Sequence, residues 1–252
     1  MNITLSIYFS FSMNSYLIKS FLALVLVSGL SLGSSNGQNF YKEKVPRNNF
    51  LQGGIGLGTI YADNAGGIRN LDLLLRPGLS FTYGRKIHKN FDVRANLGYQ
   101  RYKSQKIDYY SPVVIEVWSG RDQAITSKNN LLYLDVIPSF YLFGSNNHTS
   151  RKKINVYGGA GLGLLFNANQ TVKKHISGFS EHKETQVTGY IPFKGGLSYR
   201  LDLYTDIAFE GTLMLTFSDN LDGNEGFNRL NDHPLIGQIV IRRYLNPFKS
   251  IY

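Results

Sequence analysis

The stretch Phe91-Asp-Val-Arg-Ala-Asn-Leu-Gly-Tyr-Gln-Arg-Tyr102 decides the fold. Phe91, Val93, Ala95, Leu97 and Tyr99 alternate with Asp92, Arg94, Asn96, Gly98 and Gln100, and a period of two marks a strand with two unlike faces. Globular strands average about five or six residues, whereas a tilted membrane-spanning strand needs about nine to eleven, and this one is of the longer kind. Ile207 to Phe217 repeats the alternation less cleanly. Further strands are expected at Leu51 to Tyr61, Leu73 to Tyr83, Leu131 to Phe143, Ile154 to Phe166, Tyr190 to Leu201 and Leu235 to Tyr244. The expected fold is therefore all-β, a closed antiparallel transmembrane β-barrel of about eight strands.

Connection lengths support the same reading, because outer-membrane barrels alternate short periplasmic turns with longer external loops. Gly84 to Asn90 and Leu201 to Asp206 are short, while Tyr61 to Leu73, Ser104 to Asn130, Asn167 to Gly189 and Ser218 to His233 are long. Ser111 to Lys128 and Gln170 to Thr188, rich in charge, Ser and Thr, read as external loops. The turn from Gly144 to Lys153 is intermediate and fits least well.

Composition narrows the chemistry. The 252 residues include 17 Tyr, 16 Phe, 26 Gly and no Cys, a β-rich and glycine-punctuated set. Without cysteine there is no disulfide framework, Cys-ligated zinc, iron–sulfur cluster or thiol nucleophile. A 42% hydrophobic content with 17% charged residues excludes intrinsic disorder, and a mean hydropathy slightly below zero excludes a helical membrane bundle.

Residues 1–37 read as a signal peptide with a true start at Met13. Lys19 supplies the positive region, Phe21 to Leu30 the apolar core, and Ser35 and Gly37 the small residues before a cut. Residues 38–50 form a periplasmic lead-in and residues 51–252 the barrel. Removal of Lys19 leaves 26 basic against 17 acidic residues, a net of +9. Export argues against a nucleic-acid partner. Basic loops beside the phosphates of outer-membrane lipopolysaccharide account for the excess, and Arg151, Lys152 and Lys153 fall in a periplasmic turn.

With the apolar face toward lipid, the polar face fills the lumen. The inward set is Asp92, Arg94, Asp135, Lys194, Arg200, Glu210 and Arg242, with Thr82, Asn96, Gln100 and Gln238. An unpaired buried charge is costly, so these residues are expected to pair across the lumen as a salt-bridged plug rather than line an ion path. Glycines at 54, 56 and 58 and at 159, 161 and 163 are placed on the same inward face, making room for long Arg and Lys side chains. Tyr61, Tyr83, Phe91, Tyr99, Tyr102, Tyr133, Phe140, Tyr141, Phe166, Tyr190, Tyr199, Phe217 and Tyr244 are assigned to interfacial girdles. A soluble lipocalin-like binder inverts every face and is the alternative to a membrane barrel.

Gly53-Gly-Ile-Gly-Leu-Gly-Thr-Ile-Tyr-Ala-Asp63, Arg76-Pro-Gly-Leu-Ser-Phe-Thr-Tyr83, Asn90-Phe-Asp-Val-Arg-Ala-Asn-Leu-Gly-Tyr99 and Val156-Tyr-Gly-Gly-Ala-Gly-Leu-Gly163 resemble the strands of small bacterial outer-membrane β-barrel proteins. In particular they resemble the family that includes the barrel associated with the type IX secretion ring. The resemblance implies an OmpA/OmpX-like, non-enzymatic structural or interaction component in the outer membrane, without cofactor. It also implies a periplasmic protein partner in a secretion complex. A lipid A deacylase or acyltransferase is the enzymatic alternative, and it needs a His beside a Ser or an acid. His88, His148, His175, His182 and His233 are the histidines, none is expected in a strand interior next to a Ser, and the spacing of His175 and His182 matches no zinc motif. No catalytic or metal-binding residue is assigned.

Overall fold

A computed structural model describes residues 48–64, 74–145, 152–175, 178–224 and 231–245. The expected signal peptide and most of the lead-in lie outside them, as do Arg151 and His148. Among the described residues the strands are β1 (Asn49–Tyr61), β2 (Arg76–His88), β3 (Phe91–Lys103), β4 (Ala124–Tyr141), β5 (Ile154–Ala160), β6 (Leu162–His175), β7 (Gly178–Arg200), β8 (Thr205–Thr216) and β9 (His233–Leu245), with one α-helix, α1 (Pro112–Gly120).

All pairings are antiparallel, and both ends of the sheet order are joined: β1 pairs with β9 and β3 with β4. The sheet therefore closes on itself. β5 and β6 keep one register against β4 and against β7, so they act as a single barrel strand interrupted at Gly161. The neighbouring strands carry Pro138 and Pro192 at that level, and proline has no N–H for the ladder. Gly161 N still donates to the Pro192 carbonyl at 3.1 Å. The result is an eight-stranded antiparallel barrel.

The two faces are sorted as the alternation requires. Outward residues such as Ile55 (66% exposed), Leu162 (71%) and Phe209 (61%) form an apolar outer surface, while Arg94, Arg242 and Glu210 are fully enclosed. A surface this apolar in water marks an aggregation site; around a closed barrel it is the lipid-facing band. The inverted, lipocalin-like arrangement is thereby excluded. Even-stranded antiparallel barrels with such a band are the spanning form of the bacterial outer membrane, and the chain is an outer-membrane protein.

The strands begin and end differently from expectation at several places. β1 starts at Asn49, two residues inside the expected lead-in, and its Phe50 packs in the lumen. The segment Ser111 to Lys128 is not a plain loop. Ser111 caps α1 by accepting from Val114 N at 3.4 Å, Pro112 starts it, Trp118 is buried beside Tyr110, and β4 already runs from Ala124. Gln170 to Thr188 is likewise mostly strand, because β6 and β7 continue past the barrel wall as a hairpin whose last pair is His175 with Gly178. Gly178 has a φ of +127°, which only glycine adopts without strain.

Candidate functional site

The lumen is layered. The start of β1, the end of β9 and the β2–β3, β4–β5 and β7–β8 connections lie at one end of the barrel, and the β1–β2, β3–β4, β6–β7 and β8–β9 connections lie at the other. Nearest the terminus end lies a charged layer centred on Glu210 of β8, which is fully enclosed. Its Oε1 accepts from Arg94 Nη1 at 3.1 Å, Tyr157 Oη at 2.6 Å and Gln52 Nε2 at 3.0 Å, and its Oε2 accepts from Gln238 Nε2 at 3.0 Å. Lys194 Nζ and Arg242 Nη2 stand 3.9 and 3.8 Å from the same carboxylate. Arg94 also donates to Asp92 Oδ1 at 3.0 Å, and Arg94 and Arg242 both donate to Tyr141 Oη, at 2.6 and 2.8 Å. The two guanidinium groups stack over rings, Arg94 at 4.2 Å from the Tyr157 centroid and Arg242 at 4.8 Å from that of Phe50.

A second layer is built on Asp135, which accepts from Tyr190 Oη at 2.6 Å and from Asn96 Nδ2, while Asn96 Oδ1 accepts from Thr82 Oγ1 at 2.6 Å. Above it the lumen turns apolar: Ile60, Tyr102, Leu131, Tyr133, Leu165, Met214 and Ile236 surround Leu221 of the β8–β9 connection. The described parts of that connection, residues 217–224 and 231–232, fold into the mouth as a polar lid. Asn167 and Asn169 donate to the Leu221 carbonyl at 3.0 and 2.9 Å, and Asp222 accepts from Asn64 N and Asn224 N at 3.3 and 2.9 Å. Asp232 Oδ2 accepts from the amides of Leu221 and Asp222 at 2.8 and 3.1 Å. Burial, then repulsion from Asp63, holds the Asp222 carboxyl well above the usual carboxylate range. Burial, then repulsion from Asp222, does the same to Asp232.

Of the seven inward residues expected from sequence, Asp92, Arg94, Asp135, Lys194, Glu210 and Arg242 are buried in the lumen. All except Asp135 meet in the charged layer. Arg200 does not join them: it ends β7 and lines the rim of the terminus-side mouth, half-buried, with Lys86, Lys89, Lys152 and Lys153. The assigned girdle also needs correction, since Tyr102, Tyr133, Tyr141 and Tyr190 are inside the barrel. The inward glycines make room for something other than Arg and Lys. Gly163 sits beneath its cross-strand partner Tyr190, and Gly58 lies beside Gln100. Elsewhere Gly84 faces Phe50, Gly98 faces Tyr133 and Gly196 faces Tyr157, each in direct register.

The histidine reading is corrected at one position. His182 stands within β7, two residues from Ser180, with Oγ and Nε2 3.2 Å apart. On the hairpin beyond the wall His182 is exposed and Ser180 half-buried, and His175 lies 6.4 Å from His182 between ring centroids, with Asp122 Oδ1 3.9 Å from His175. Among the described residues no group of three His, Asp or Glu side chains is arranged to hold a metal ion.

No protein-family model and no curated protein matches the chain. Its fold is similar to several solved barrels at low identity. Neisserial surface protein A is 13% identical, with 78% of this chain and 97% of that chain covered and a TM-score of 0.43. OprG, an outer membrane protein of Pseudomonas aeruginosa, is 11% identical over 81% and 99% of the two chains, at 0.42. A major outer membrane protein of Thermus thermophilus is 9% identical over 77% and 99%, at 0.46.

Proposed function

We propose that the protein is a non-enzymatic structural and interaction component of the outer membrane, anchoring through its wall and acting through its two ends. The observation that carries this reading is the filled lumen. Seven charged side chains, Asp92, Asp135, Asp206, Glu210, Arg94, Lys194 and Arg242, are consumed in pairing or hydrogen bonding within the barrel, and an apolar layer with a folded-in lid caps them. Such filling among the described residues suits a structural plug rather than a water-filled channel.

The finer reading is an assembly role on the periplasmic side, with the short-turn end facing the periplasm. Lys86, Lys89, Lys152, Lys153 and Arg200 ring that mouth, and a basic rim of this kind favours an acidic surface on a secretion-complex partner. In-cell cross-linking from a photoreactive residue at Lys152 tests it. Recovery of one periplasmic protein, lost in a variant with Lys89, Lys152 and Lys153 all changed to Glu, is the expected result. Recovery of lipid alone defeats the assembly role.

A further inference from the structure

At the loop end of the barrel, a cavity where β2 begins and β3 ends is lined by Leu74, Arg76, Lys103, Lys106, Asp108 and Tyr109, together with Ser104 and Gln105. Three cations face it against one carboxylate. Arg76 Nε is buried without a hydrogen-bond partner. Lys103 stands directly opposite Lys128 in the β3–β4 ladder, and Arg76, Lys106 and Lys128 all lie close enough to repel its ammonium. Like charges directly opposite one another weaken a sheet, and a buried guanidinium N–H without an acceptor carries its full desolvation cost. A bound anion relieves both.

The anion's chemistry is narrowed by what adjoins the cavity. Ile55, Leu57, Leu75, Pro77, Leu79 and Tyr99 line a shallow apolar concavity on the outer wall, with Arg101 at its edge. Leu75, which lines the concavity, lies between Leu74 and Arg76 of the cationic cavity in the chain, and Arg101 lies two residues before Lys103 on the outward face of β3, so the two are neighbours on the barrel. Gly237 helps hollow the concavity, since its missing side chain is on the outer wall beside Phe209. A free phosphate has no use for such a groove, whereas an acyl chain does.

We propose that Arg76, Lys103 and Lys106, with the adjoining concavity of β1, β2 and β9, form a binding site for a phosphorylated, acylated lipid of the outer leaflet, the chemical class of lipopolysaccharide. The phosphate occupies the cationic cavity, accepting from Arg76 Nε and the two ammonium groups, while an acyl chain lies over Leu79 and Ile55. The site rests on the membrane placement of the barrel and is independent of any partner at the opposite mouth.

The test uses the purified barrel in detergent, titrated with bisphosphorylated lipid A, dephosphorylated lipid A and inorganic phosphate, and read by native mass spectrometry. One tightly retained bisphosphorylated lipid is expected. A variant with R76Q, K103Q and K106Q should lose affinity on the order of a hundredfold, each basic side chain near an anionic surface contributing about fivefold. The K152Q/K153Q variant at the other mouth should bind as the parent does. Equal retention of dephosphorylated lipid A, or no loss in the triple variant, overturns the proposal. Binding of inorganic phosphate as tight as lipid A also overturns it, since the groove then contributes nothing. Should the triple variant fail to fold, K106Q alone and the comparison of the two lipids on the parent chain decide.

Discussion

Glu210 on β8 and Arg94 on β3 meet at 3.1 Å in the centre of the barrel although 116 residues separate them, and neither exposes any of its side chain. The contact crosses the lumen rather than following the wall. It ties together strands that share no ladder, which is what a barrel with so polar an interior needs to keep one cross-section.

Removing the shared carboxylate should therefore be severe. In E210Q the amide keeps the shape yet leaves Arg94, Arg242 and Lys194 to repel one another without the anion that all three face. Breaking a buried pair from one side costs about 3–5 kcal/mol. The temperature at which the folded, fast-migrating gel band converts to the unfolded one should fall sharply. E210D, retaining the charge on a shorter stem, should lose less.

The glycine and ring pairs predict a rescue. A Cβ at Gly84 collides with the ring of Phe50, so G84V should fold poorly or not at all. Adding F50A to G84V vacates that space, and the double variant should recover part of the folded band. A double variant no better than G84V refutes the steric account. F50A alone should destabilise by about 3–5 kcal/mol through the cavity it leaves.

These pairs also show how much is legible in the sequence. Strand existence and the common face of Asp92 and Arg94 follow from period two, as does that of Glu210 on its strand, whereas the antiparallel order follows from the connection lengths and the choice of the lipid-facing side from strand length and the export signal. Ring chemistry assigns Tyr133 and Tyr141 to the lipid interface, yet they share the parity of Asp135 on β4, and a strand cannot turn one of them outward without turning all three. Phase along the strand outweighs residue type there. Tyr102 with Gln100, and Tyr190 with Lys194, repeat the lesson. The apolar layer under the lid has a signal in Leu131-Leu-Tyr-Leu134, apolar on both faces. The lid and the Arg76 cavity have none, because they are made by contacts between residues far apart in sequence, such as Asn64 with Asp222.

The histidines offer a clean negative test of enzymatic activity. Ser180 and His182 are bonded on the hairpin beyond the barrel wall, and His233 begins β9 beside Pro234. Replacing His175, His182 and His233 by Ala, singly and together, should leave the lipid A profile of the cell unchanged by mass spectrometry. An altered acylation pattern in H182A would make the bonded pair catalytic.

The lid supplies a prediction with a definite sign. Asp222 and Asp232 are buried next to each other, with Asp63 and Asp219 acting on them by like charge, so their carboxyls are raised to about 7 and about 9. Among the described residues Asp232 forms no ion pair, and its Oδ2 accepts from the amides of Leu221 and Asp222. Once the lid is released into water, both acids return to the ordinary value of about 4. Between that value and the raised ones the open lid binds fewer protons than the closed lid, so closure is fully stable below about pH 4 and weakens as pH rises through 7 and toward 9. The Leu221 amide, donated to Asp232 and carried into the lumen with its side chain, reports the opening directly. Its hydrogen exchange, corrected for the intrinsic pH dependence, should accelerate from pH 5 to pH 9. In D232N the carboxyl is replaced by a neutral acceptor, and the corrected rate should lose most of that slope. A slope that persists in D232N and also in D222N would place the titrating group elsewhere in the barrel.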